Sequence, residues 1–152
     1  FYLIASFFFF FLMLRRPPSS PLFPYTPLFR SSLAWETFCG DAGAMAINGM
    51  PMNMERIDEV VRKGDTETWR ISVDDQLHPF HIHGCSFRIL TQNGGPPPAY
   101  AQGWKDMVHV EEGWSEVLVQ FNYDAPADTP YMYHCHILEH EDCGMMGQFT
   151  VS

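Results

Sequence analysis

The chain is short of positive charge. Lys and Arg total 9 of 152 residues against 18 Asp and Glu, a formal net charge of −9. A nucleic-acid binder needs a basic face, so that class is excluded. Charged residues make up only 18% and apolar ones 46%. That balance supplies a core and excludes wholesale disorder. A membrane-spanning stretch is also lacking. The longest apolar run, Phe1–Leu14, would reach about 21 Å as a helix, short of the roughly 30 Å hydrocarbon core. It fails as a signal peptide too. The basic pair Arg15–Arg16 follows the apolar run instead of preceding it, and no small-residue cleavage site comes after. Residues 34–152 contain no internal repeat and no low-complexity stretch.

These shortages are unevenly spread. Residues 1–33 hold no acid, three Arg, 8 of the 13 Phe and 5 of the 12 Pro, whereas residues 34–152 hold 6 basic and 18 acidic residues, a net of −12. Pro17, Pro18, Pro21, Pro24 and Pro27 forbid regular helix or central strand around them. The run LMLRRPPSSPLFPYTPLFRSS resembles the translated sequencing-adapter read found at the ends of open reading frames from metagenomic assemblies. Residues 1–33 are therefore set apart as a non-native or disordered tail, with a domain over 34–152. The first residue is Phe1 and not Met, and the chain is read as a fragment.

Within 34–152, short runs rich in β-branched and aromatic residues alternate with turn chemistry. Thr66–Val73 follows the turn Lys63–Gly64–Asp65. Phe80–Leu90 is predicted as one longer strand, and Asn93–Pro98 (NGGPPP) as a loop. Met107–Val110 and Glu116–Phe121 flank a turn at Glu112–Gly113, and Tyr131–His136 and Gly147–Val151 follow. Ile57–Val61 fits a helical turn or a strand. Strands at this spacing predict an all-β sandwich or barrel.

The chemistry is concentrated in two segments. Three of the seven His lie in His78-Pro-Phe-His81-Ile-His83 and three in His134-Cys135-His136-x-x-x-His140, leaving His109 apart. Six imidazoles and a thiol packed so densely point to Zn, Cu, Fe or Ni and away from hard cations. In a strand, residues i and i+2 face one way, about 6.6 Å apart. His81 and His83 then share a face, His134 and His136 share a face, and Cys135 points to the opposite side. One strand would serve two metal sites. The covalent path from the Cys135 sulfur to His134 and His136 is an electron route between them. On the Cys135 side, His140 and Met145 lie downstream and His78 comes from the other segment. Two imidazoles, a thiolate and a thioether form the His₂Cys set with a weak axial Met used for blue copper. Zinc is the rival metal, but a structural zinc site rarely recruits a thioether.

His-Pro-Phe-His-Ile-His-Gly followed by His-Cys-His-x-x-x-His-x-x-x-x-Met resembles the C-terminal signature of multicopper oxidases. The segments AMAINGMPMNMERIDEVVRKGDTETWRI, GWKDMVHVEEGWSEVLVQFN and HCHILEHEDCGMMGQFTV look like the third cupredoxin domain of the copper-efflux cuprous oxidases of the Gram-negative periplasm, over about residues 44–152. The resemblance implies a Greek-key β-sandwich of cupredoxin (plastocyanin-like) type, truncated at its N-terminal edge, with an unpaired sheet edge where strands are missing. It implies His78, Cys135, His140 and Met145 as type 1 copper ligands, His81 as a type 2 ligand, and His83, His134 and His136 as type 3 ligands. Glu141 matches a carboxylate that relays protons to the trinuclear cluster, against a plainer role as a solvated loop acid. The cluster in that family reduces dioxygen to water and draws further His-x-His pairs from an N-terminal domain. Such pairs are absent from this sequence. The implied partners are therefore the missing cupredoxin domains, dioxygen, and a reducing substrate that is Cu(I) or phenolic, with no nucleic acid and no membrane. The location implied is periplasmic, and the fragment alone is expected to be inactive. A single-domain blue-copper electron carrier is the alternative; it has no use for His81, His83, His134 and His136.

Departures bear on the substrate. Asp74 stands four residues before His78, where the cuprous oxidases place an Asp for a substrate copper, but Gln76 stands where they place a Met. Met45, Met50, Met52 and Met54 form a soft cluster that is read as packing. Of the other cysteines, Cys39, Cys85 and Cys143, Cys143 is expected to be a free thiol, because a bridge there would distort the loop between His140 and Met145. Asp106 is read as a buried hydrogen-bonding residue, His109 as a surface or strand histidine, and Asp58, Glu59, Glu111 and Glu112 as a solvated acidic surface.

Overall fold

The computed structural model describes residues 8–15, 28–34, 45–73 and 77–152. They form eleven strands in two sheets. The first sheet contains β1 (Phe8–Arg15), β2 (Leu28–Ala34), β4 (Thr66–Val73), β6 (Phe87–Gln92), β7 (Trp104–Lys105) and β9 (Gly113–Gln120), in the order β2-β1-β4-β9-β6-β7. The second contains β3 (Glu59–Val61), β5 (His78–Ile82), β8 (Met107–Val110), β10 (Tyr131–Cys135) and β11 (Met146–Val151), in the order β3-β11-β10-β5-β8. One short helix, α1 (Leu138–Asp142), follows β10. The fold is an all-β sandwich of cupredoxin type. Among the described residues no helix is long and apolar enough to cross a membrane.

Alternation builds the sandwich. Along β4, Glu67, Trp69, Ile71 and Val73 are buried while the residues between them are half-buried. Along β5, His78, Phe80 and Ile82 are buried, and Pro79 and His81 are less so. Period-two patterning of this kind sends one face of each sheet into a shared core. Trp69, Phe80, Phe121, Tyr133 and Phe149 fill it, each fully buried. Trp69 meets Tyr133 and Phe149 edge-on at centroid distances of 5.9 and 6.0 Å, the geometry that aromatic quadrupoles favour.

Several sequence expectations change. Phe80–Leu90 is two strands in different sheets, because the chain turns at Gly84 (φ +69°). Glycine is required there twice over. The φ is left-handed, and a Cβ would lie 2.3 Å from the ring of Tyr131. Ile57–Val61 resolves to strand β3, paired in parallel with β11. The edge of β4 is not open: Leu12–Arg15 of β1 pair with Trp69–Ser72. Asp58 is not a solvated acid. Its side chain is 3% exposed, ion-paired with Arg56, and it accepts the Gln148 N–H. Glu111 and Glu112 are exposed.

Candidate metal centres

Strand β10 contributes to both donor groups, Cys135 to one and His134 to the other. It pairs with β5 so that His134 opposes His81 and Cys135 opposes Phe80. Opposed residues share a face. Cys135 therefore points inward and the His134–His81 pair to the other side.

On the inward face, His78, Cys135 and His140 converge. Cys135 Sγ lies 3.5 Å from His78 Nδ1 and 3.5 Å from His140 Nδ1, and the two nitrogens are 3.3 Å apart. All three side chains are buried. His140 arrives on the single helical turn α1, with Met145 just beyond it. Met145 is fully buried, its N–H donates to the His140 carbonyl (2.9 Å), and its own carbonyl accepts from Cys135 N–H (3.2 Å). Those bonds clip the ends of the ligand loop onto β10. Burial pushes the Cys135 thiol up to about 11; a backbone hydrogen bond from Ile137 opposes the rise and the Glu141 carboxylate adds to it.

On the other face lie His81, His83, His134 and His136. Ring centroids are 5.2 Å apart for His81–His83, 5.3 Å for His81–His134 and 5.5 Å for His134–His136. His83 Nε2 and His134 Nε2 approach to 3.2 Å. His81, His83 and His134 each present a nitrogen to a common point, while His136, just past the end of β10, is exposed. His81 Nδ1 lies 2.8 Å from the Asp106 carbonyl and His134 Nδ1 3.0 Å from the Cys135 carbonyl. With Nδ1–H donating in each, Nε2 is left as a lone-pair donor, the usual way a metal-binding imidazole is oriented. Burial, then the neighbouring His134 and His81, lower the pKa of His83, so its neutral, ligating form is favoured. The group opens onto a hollow of about 480 Å³, lined also by Cys85, Asp106 and Tyr131. Glu141 Oε2 lies 3.3 Å from His134 Nδ1.

The chain matches the multicopper oxidase family over residues 24–152. The chain belongs to that family. It is 41% identical over 114 residues to the multicopper oxidase mco of Staphylococcus haemolyticus, covering 71% of this chain and 25% of the relative. It is 37% identical over 109 residues to the cell division protein FtsP of Xenorhabdus nematophila, covering 72% and 23%. Among solved structures, the laccase-like multicopper oxidase CueO from the lignin-degrading bacterium Ochrobactrum sp., described as having oxidase activity towards lignin model compounds and lignosulfonate, superimposes with a TM-score of 0.69 at 49% identity. That match covers 72% of this chain and 24% of the neighbour. The chain thus spans about a quarter of the length of the curated relatives it matches.

Copper, the metal that membership implies, fits the inward donors of this multicopper oxidase chain. The circle through the three donor atoms has a radius of about 2.0 Å, a bonding distance for imidazole nitrogen to a first-row metal. The donor set is the His₂Cys trigonal arrangement that selects copper.

Other expectations fare variously. Asp74 and Gln76 lie outside the described residues. Cys143 is disulfide-bonded, contrary to the free thiol expected. The bridge does not splay the loop, because Cys143 packs against the core at the C-cap of α1 while His140 stays 3.5 Å from Cys135. Cys39 is outside the described residues, and Cys85 and Cys135 are free thiols. Asp106 is exposed, not buried; its backbone carbonyl makes the contact that matters, on His81. A carbonyl contact leaves no residue-type signal, so sequence reasoning could not find it. His109 is exposed on β8 as expected. Of the four methionines read as packing, Met45 is in the core, but Met50 is 40% and Met54 70% exposed. The turn at Asn48–Gly49, both at positive φ, carries the chain after Ile47 out of the core.

Proposed function

We propose that this chain is the C-terminal part of a multicopper oxidase and carries its whole type 1 copper site and half of its trinuclear cluster. His78, Cys135 and His140 would hold the type 1 copper, with the buried Met145 beyond them as the thioether donor. His81 serves the type 2 position, and His83, His134 and His136 serve type 3. Copper held by these residues would supply one-electron chemistry, which suits a reducing substrate on the type 1 side and dioxygen on the cluster side. Cys135 links the two through the backbone it shares with His134 and His136. Glu141 would hold and pass a proton at Oε2, a role supported by its 3.3 Å approach to His134 Nδ1.

The observation that carries this reading is the pair of donor groups on opposite faces of β10. A single-domain blue-copper carrier needs only the inward group. A cell-division role, suggested by the FtsP relatives' name, gives no reason for either set of donors. The hollow beside His81 and His83 supports remaining domains of the same polypeptide as the partner that completes the cluster. We place the protein in the periplasm, a reading supported by the disulfide-bonded Cys143, since such bonds persist in oxidising compartments. Residues 34–152 are the working domain in this reading, and 1–33 take no part in the copper chemistry. The reducing substrate is cuprous copper or a phenol, with Asp74 the candidate for holding a substrate copper. Oxygen uptake tests the proposal. The copper-loaded chain alone should consume no dioxygen with a phenolic reductant, and should do so once an oxidase lacking this domain is supplied. Full four-electron reduction by the isolated chain would sink the half-cluster reading.

A further inference from the structure

We propose that the cleft between the outer edges of the two sheets is a binding site for a single-ring aromatic carboxylate of the benzoate class. The inference does not rest on the copper roles given above. The first sheet ends on β7 and the second on β8, and the chain steps from one to the other between Lys105 and Met107. A cavity of about 170 Å³ lies there, with the 3₁₀ turn Ala99–Ala101 against it. An apolar cavity of about 150 Å³ holds one benzene ring, so this one has room for one ring with a small substituent and not for two rings.

The lining matches such a ligand in both halves. Ile89 and Ala101 are buried and Met107 is half-buried, which gives an apolar floor. Tyr100, 71% exposed, stands at the mouth and offers a ring face for an aromatic to stack on. Half-buried Lys105 and exposed His109 can each donate to an anion. Among the described residues no acid lines the cavity; Asp106, next in the chain, lines the histidine hollow instead. Arg56, Lys63 and Arg70 are each paired with an acid, whereas Lys105 makes no such pair among the described residues. An unpaired cation against an apolar cleft, in a domain of net charge −12, selects a ligand with an apolar body and an anionic head.

The walls are fixed in advance. Pro96, Pro97 and Pro98 lead into the turn with set φ. Ala101 N–H donates to the Pro98 carbonyl at 2.9 Å, and Gln102 Nε2 to the Pro97 carbonyl at 3.4 Å. Gln92 Nε2, on β6, ties the two sheets together beside the cleft, donating to the His109 carbonyl at 3.0 Å and to Ser115 Oγ at 3.3 Å. Preformed walls spare a ligand the cost of ordering them. Ala101 contributes by being small, since a longer side chain there would take the space of the ring.

The test is titration of the metal-free, full 152-residue chain with benzoate and, separately, with its neutral counterpart benzyl alcohol. Binding is followed by the methyl NMR signals of Ile89, Ala101 and Met107. Benzoate should move the three methyls together through its ring current and bind about fivefold more tightly than the alcohol. Lys105→Gln should erase that preference and Lys105→Arg should restore it. Ala101→Leu, which fills the cleft, should abolish binding of both compounds in a chain whose dispersed spectrum shows it folded. If the methyls stay put, if the alcohol binds the parent as tightly as benzoate, if Lys105→Gln keeps the preference, or if folded Ala101→Leu still binds, the site does not exist.

Discussion

Gly84 follows His83, so a substitution there tests how the histidine segment is held in place. Replacing it by Ala meets two opposing effects and one small gain. The φ of +69° is left-handed, which costs an L-residue about 1–2 kcal/mol. The new Cβ would sit 2.3–2.6 Å from ring atoms of Tyr131. That ring packs on Phe149 at 5.7 Å, so it cannot simply swing aside; overpacking of this kind costs about 1–3 kcal/mol. Reduced freedom of the unfolded chain returns roughly 0.4–1 kcal/mol. The net expectation is about 1–4.6 kcal/mol of destabilisation, read by urea unfolding of the metal-free chain. Gly64 supplies the control. Its φ is +86° with nothing within 4 Å of a Cβ, so Gly64→Ala should show the backbone cost alone, about 1 kcal/mol. The excess at Gly84 should vanish in a Tyr131→Ala background. Equal losses at the two glycines, or an excess that survives removal of the ring, would refute the reasoning.

Further outcomes are expected elsewhere. Met145→Leu should keep the blue colour of the copper-loaded chain and raise its reduction potential, since the axial ligand tunes that potential; voltammetry showing no change would remove Met145 from the axial role. Burial, with Asp106 adding, pushes the Cys85 thiol from 9.0 up to about 12. The folded chain then holds this proton more tightly than the unfolded one, so the stability linked to it is complete below pH 9 and declines as pH rises towards 12. Cys85→Ala should flatten the loss of urea stability above pH 9, leaving the shares due to Cys135, whose thiol is raised to about 11, and to Tyr133, whose hydroxyl burial holds well above its ordinary range; identical pH profiles would contradict this. Phe80→Ala, beside Cys135 in the register and fully buried, should cost about 3–5 kcal/mol of metal-free stability, with a cost under 1 kcal/mol placing Phe80 outside the core. Deleting residues 1–33 should leave the blue band intact even though β1 pairs along β4; loss of the band in a folded product would give that segment a role.

The ligand faces were legible because strand alternation is rigid. Once His134-Cys135-His136 is extended, the sulfur and the imidazoles must part, and the register of β10 on β5 shows that they do. The break between Ile82 and Phe87 was not legible from apolar patterning. A chain that switches sheets keeps burying alternate residues on either side of the switch, and only Gly84 marks the turn. Cys143 was misjudged because the expectation considered the ligand loop alone, without the core surface that Cys143 packs on. Asp106 was misjudged because its side chain was weighed while its carbonyl made the contact. The exposed methionines escaped because composition does not say which way a loop leaves the core; the positive φ at Asn48 and Gly49 does.

The central claim is that His78, Cys135 and His140 form a blue-copper site in this chain. The direct measurement is the visible absorption of the chain on adding one equivalent of Cu(II), with Cys135→Ser alongside. An intense blue thiolate-to-copper band is expected in the parent and none in the variant. A colourless complex in the parent, or a variant that stays blue, would contradict it.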